Sequence, residues 1–116
     1  MPSHLDVHVG DTLDAIKARV LDAWRRAERG EAVRERHVSF ESFEGMVRTL
    51  SGKRLGLLKH LRRNPAASIA ALARALGRDY KRVHEDVEIL VNAGLVDRDE
   101  RGLRTDYDEI RTTIAL

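Results

Sequence analysis

The sequence predicts a mainly α-helical domain with a small β wing, an α+β class, preceded by an additional N-terminal helix. Three observations point there. Apolar residues recur at steps of three and four in successive stretches between residues 11 and 94. The 116-residue chain has only five aromatic side chains, Trp24, Phe40, Phe43, Tyr80 and Tyr107, so Leu, Ala, Val and Ile must build the core, which suits helices. Beyond Gly94 the pattern changes to alternation around a Glu100-Arg101-Gly102 turn, the signature of a hairpin.

Residues 1–10 show no period and are expected to fray. Asp11 stands as an N-cap before a stripe of Leu13, Ile16, Val20, Trp24 and Ala27, and Gly30 ends that helix. The stripe packs on the domain or pairs with its copy in a second chain, and Leu13, Ile16, Val20 and Trp24 are the candidate dimer contacts. Residues 31–36 read as a charged linker, giving an N-terminal tail and helix over 1–35 and a second region over 36–116.

In that second region His37 to Ser42 suits a short strand, and Phe43, Val47 and Leu50 share one helical face. Ser51 caps a helix with Leu55, Leu58 and Leu61 inward, which Asn64-Pro65 stops. Ser68 caps the next, with Ile69, Leu72, Ala73 and Leu76 at i, i+3, i+4 and i+7. Gly77 closes it where a left-handed backbone is required. Asp79 starts another helix after a very short turn, with Val83, Val87, Leu90 and Val91 inward and Gly94 at its end. Leu95 to Asp99 and Leu103 to Tyr107 form the hairpin, and Ile110 to Leu116 a third strand or an extension of the second. Two helices joined by a tight Gly turn and followed by a hairpin make a winged helix-turn-helix pattern.

Composition narrows function. The chain has no cysteine, which excludes disulfide scaffolds, thiolate metal sites and cysteine nucleophiles. It has no apolar run long enough to span a membrane and no signal-peptide pattern, so a cytoplasmic protein without membrane contact is expected. The net charge of +2 conceals segregation: residues 1–47 carry −2, residues 48–82 carry +9 and residues 83–116 carry −5. A basic block between acidic flanks suits a polyanion. No phosphate-loop, nucleophile-elbow, zinc-protease or dinucleotide-binding motif occurs, so no enzyme and no cofactor is expected. His4 and His8 have the i, i+4 spacing that ligates a metal on a helix, but no third ligand accompanies them, so no metal site is assigned.

The chain carries Phe40-Glu-Ser-Phe43, Lys53-Arg54 with Leu57-Leu58, Ser68, Leu72-Ala73, Leu76-Gly77-Arg78, the run Tyr80-Lys-Arg-Val-His-Glu-Asp-Val87, Gly94-Leu-Val96 and Tyr107-Asp-Glu-Ile110. With these, residues 37–116 resemble the MarR-like winged helix-turn-helix group of small predicted transcriptional regulators of bacteria and archaea. The resemblance implies DNA binding and transcriptional control, and some members of the group are similar to antitoxins encoded beside a small toxin.

The expected activity is therefore sequence-specific binding of double-stranded DNA by a dimeric repressor that inserts helix 79–93 in the major groove. Arg78, Lys81 and Arg82 are the first candidates for contact, and Tyr80 and His84 the second. Tyr80 suits a core edge equally well, and His84 a solvated surface. Lys53, Arg54 and Ser68 stand at helix starts, where phosphate is gripped. Arg98, Arg101 and Arg104 on the hairpin reach toward a minor groove, opposed by Asp97, Asp99 and Glu100. The alternative is an interaction module that neutralises a toxin-like partner protein through its N-terminal helix and the acidic residues 97–109.

Overall fold

A computed structural model describes residues 4–10, 12–30 and 36–116. Its elements run β1 (His4–Val9), α1 (Leu13–Glu28), β2 (His37–Phe40), α2 (Phe43–Thr49), α3 (Gly52–Arg63), α4 (Ile69–Leu76), α5 (Tyr80–Asn92), β3 (Asp97–Asp99), β4 (Gly102–Arg104) and β5 (Glu109–Ile114). The chain is α+β. No helix among the described residues is long and apolar enough to cross a membrane. Two compact units divide it: residues 1–46 with 107–116, and residues 47–106.

The first unit is a three-stranded parallel sheet in the order β2-β1-β5, with α1 as the crossover from β1 to β2. Here the structure corrects the expectation that the N-terminus frays. Residues His4 to Val9 alternate, Leu5, Val7 and Val9 are buried, and neighbours on both sides satisfy the strand's backbone. It also corrects the C-terminus. β5 pairs with β1, setting Leu5 beside Ile110 and Val9 beside Ile114, and is not an extension of the hairpin. Residues 36–46 and 107–116, grouped by sequence with the helix-turn-helix, thus belong with β1 and α1.

The cap of α1 is Thr12, whose hydroxyl accepts from the Ala15 N–H at 3.2 Å; the expected cap, Asp11, lies outside the described residues, as do residues 31–35 of the linker expected over 31–36. Helix α1 fully buries no residue of its stripe. Ile16 is half-buried, whereas Leu13, Val20 and Trp24 are each 65% exposed and Leu21 is exposed beside them.

The second unit follows its local sequence signals closely. The hydroxyls of Ser51 and Ser68 and the carboxylate of Asp79 accept from the N–H groups of Arg54, Ala71 and Arg82, capping α3, α4 and α5. Gly77 has φ of 63°, and the Arg78 N–H returns to the Ala73 carbonyl at 3.0 Å, closing α4 in the left-handed form that glycine permits. The core is Leu57, Leu58 and Leu61 of α3, Ile69, Leu72 and Ala73 of α4, Val83, Val87 and Leu90 of α5, and Leu95, Val96 and Leu103 around the hairpin. Leu55, expected inward, is 37% exposed, and Leu57 takes its place. The hairpin is tied to the α3–α4 connection by paired backbone bonds between Ala66 and Leu103 of 2.7 and 3.0 Å. At the adjoining Gly102, with φ of 117°, any Cβ would collide with the Ala66 carbonyl.

Candidate nucleic-acid interface

Every residue of the proposed interface lies within residues 47–106, so its geometry is that of one compact unit. Helix α5 carries the centre. Val83, Val87 and Leu90 anchor its inner side, which fixes Lys81 and Arg82 in solvent on the first turn. Neither side chain has a hydrogen bond or ion pair with the described residues. Lys53, at the start of α3, is exposed in the same way. No acidic residue follows Asp79 in the first turn of α5 to complement the helix dipole, and a carboxylate would be the favoured occupant there. A basic helix start is suited to an external anion.

Two of the expected contacts have other work. Asp86, with its side chain 13% exposed, takes Arg54 Nε on Oδ1 at 3.0 Å and Arg78 Nη2 on Oδ2 at 2.7 Å. Arg54 also donates from Nη1 to the Arg48 carbonyl at 2.6 Å, at the end of α2. One carboxylate therefore joins the end of α2, the start of α3, the α4–α5 turn and the middle of α5. Arg78 Nη1 is buried without a hydrogen-bond partner. The sequence carried a signal for Asp86: with Val83, Val87 and Leu90 it occupies the i, i+3, i+4, i+7 positions of an inward face, where an acid requires a partner.

Of the remaining candidates, Ser68, Tyr80 and Arg98 line an open cleft of about 350 Å³, together with Ile69, Asp99 and Leu103 among others. Ser68 is exposed at the start of α4, and Tyr80 is 53% exposed at the start of α5. The Tyr80 and His84 rings lie 5.9 Å apart along α5. One turn on, Glu88 receives Arg98 Nη1 at 2.7 Å, with His84 Nε2 at 3.9 Å. On the hairpin Arg104 is held between Asp99 and Asp106. That guanidinium, with the Arg101 N–H, keeps the Asp99 carboxyl below its usual range, and the two carboxylates raise the Arg104 pKa. Arg101, at the hairpin turn, stays exposed.

The structure thus separates the candidate cations. Lys53, Lys81, Arg82 and Arg101 face solvent, while Arg54, Arg78, Arg98 and Arg104 are engaged within the unit. Arg74, at the end of α4 and also exposed, joins the first set, although sequence reasoning did not single it out.

No curated protein and no solved structure matches the chain. The HVO_A0114 family profile matches residues 49–112, from the last residue of α2 through the three helices and the hairpin into β5. Since this match covers more than half of the 116 residues, the chain belongs to the HVO_A0114 family.

Proposed function

We propose that residues 47–106 form a winged helix-turn-helix like that of the MarR-like regulators, and that the protein binds double-stranded DNA sequence-specifically as a homodimeric transcriptional repressor. The observation that carries this reading is the exposed, unpaired Lys81 and Arg82 on the first turn of a helix whose opposite side is fully buried. Such a helix presents cations where major-groove edges and phosphates accept them. Lys53 and Arg101 add backbone contacts, Ser68 and Tyr80 border the approach, and Arg54 and Arg78 act as positioning residues through Asp86.

Binding to the DNA upstream of the gene, followed by fluorescence anisotropy over a salt series, tests this. Log affinity falls with log salt by about 0.9 per neutralised phosphate. The Lys81→Ala/Arg82→Ala variant loses site preference and keeps its helical circular dichroism. A slope near zero, or site preference that survives the double change, contradicts the reading.

The homodimer is proposed to form through α1. Leu13, Val20, Leu21 and Trp24 give it an exposed apolar face. Asp14 near its start and Arg25 near its end lie on one flank of that face, so an antiparallel second copy sets opposite charges together at both ends. The same face favours the second reading, in which a toxin-like protein occupies α1. Co-purification with the product of an adjacent gene, at the expense of the dimer, distinguishes it.

A further inference from the structure

The sequence offers His4 and His8 at a helical metal-binding spacing, in a segment without evident order or a third ligand. Strand β1 replaces the helical spacing and the lack of order with an extended, paired segment. Its alternation turns His4, Asp6 and His8 away from the buried Leu5, Val7 and Val9 and onto one face of the sheet. The parallel register then sets His37 of β2 beside Asp6. His8 Nε2 lies 2.8 Å from His37 Nδ1, with the ring centroids 5.0 Å apart and the planes tilted by 35°. Asp6 Oδ2 lies 3.8 Å from the same Nδ1, and Asp6 Oδ1 lies 3.4 Å from His4 Nε2. The side chains of His4, Asp6 and His37 are 32%, 25% and 26% exposed, so solvent reaches the group.

We propose that His8 and His37 form a two-histidine site for a divalent transition ion of the zinc or nickel type, with Asp6 beside it and water in the remaining positions. Among the described residues no three His, Asp or Glu side chains are placed to hold an ion, so the protein supplies two nitrogens only and water the other positions. Imidazole nitrogens select zinc, nickel and copper over magnesium and calcium, which prefer oxygen. With metal–nitrogen bonds of about 2.0–2.1 Å, two nitrogens at a tetrahedral angle on one ion stand roughly 3.3 Å apart, so the pair must part by about half an ångström and each ring must turn, because the two nitrogens now face each other almost head-on. The ion replaces the hydrogen bond between the rings. The basic groups near this face are already occupied: Arg111 pairs with Glu109 at 2.6 Å, and Arg19 reaches the Ser39 hydroxyl at 3.5 Å. An ion held there joins β1 to β2, the two strands that α1 connects, and is independent of the DNA-binding reading.

Isothermal titration of the full chain with zinc chloride, repeated with nickel chloride, tests the site. One ion binds per chain, magnesium in large excess does not compete, and the melting temperature rises with zinc. His8→Asn and His37→Asn each weaken binding about tenfold or more, whereas His60→Asn binds as the parent does. In the parent chain, zinc shifts the imidazole NMR signals of His8 and His37, which locates the site without any variant. Absence of binding, binding that survives both substitutions, or shifts at other histidines alone overturns the proposal.

Discussion

Asp86 decides where two of the chain's arginines go. Its oxygens divide between Arg54 and Arg78, so those cations hold α3 and the α4–α5 turn against α5. Asp86→Ala leaves two partly buried guanidinium groups without their anion. Loss of one partner of a buried pair costs about 3–5 kcal/mol, and because the arginine side chains here are 19% and 22% exposed, about 2–3 kcal/mol is expected by urea unfolding. An unchanged urea midpoint contradicts the positioning role. Asp99 makes a second residue-scale prediction. The Arg104 guanidinium, with the Arg101 N–H, holds its carboxyl below the usual aspartate value of about 3.9. The contribution is therefore present above that value and is lost as pH falls through the folded pKa. Backbone amide signals of β3 and β4 should hold down to about pH 4 and broaden below it, and Asp99→Asn should remove that dependence. Asp86 was visible in the sequence as an acid on an inward face. Its partners were not, because Arg54, Arg78, Arg98 and Arg104 are equivalent as letters and are separated only by where the folded backbone sets each carboxylate.

At the scale of elements, what could be read from the sequence was what is decided locally. Ser51, Ser68 and Asp79 cap the helices they precede, and Gly77 ends α4, because each signal acts within four residues. Strand β1 escaped for the opposite reason. Its partners begin at His37 and Glu109, far along the chain, and nothing near His4 announces a parallel register. Leu5, Val7 and Val9 did alternate, and that was the available signal. The correction also gives the α1 face its meaning. Leu13, Val20 and Trp24 stay exposed on this crossover helix, so burial within the chain does not account for them. Val20→Glu should convert a dimer to a monomer in size-exclusion with light scattering. Its unfolding midpoint at low protein concentration should shift by no more than about 0.5 kcal/mol, as at an ordinary surface site. A dimer that persists places the interface elsewhere.

For the whole molecule, a net charge of +2 describes neither unit. The +9 of residues 48–82 falls on the end of α2, α3, α4, the connecting turn and the first turn of α5, and internal acids engage part of it. Lys53, Arg74, Lys81 and Arg82 remain exposed. Within residues 83–116, whose −5 already counts Arg98 and Arg104, the carboxylate of Asp86 is spent on Arg54 and Arg78 of the basic block, a use that segment totals alone do not reveal. The central claim is that α5 reads DNA sequence. Unbiased selection of bound duplexes from a random library, run in parallel with the parent protein and with Lys81→Ala/Arg82→Ala, tests it most directly. The account predicts an enriched two-fold-symmetric motif with half-site centres about 10 base pairs apart, or a multiple of that, absent from the variant's pool. A parent pool with no enriched motif, or the same motif recovered by the variant, contradicts it.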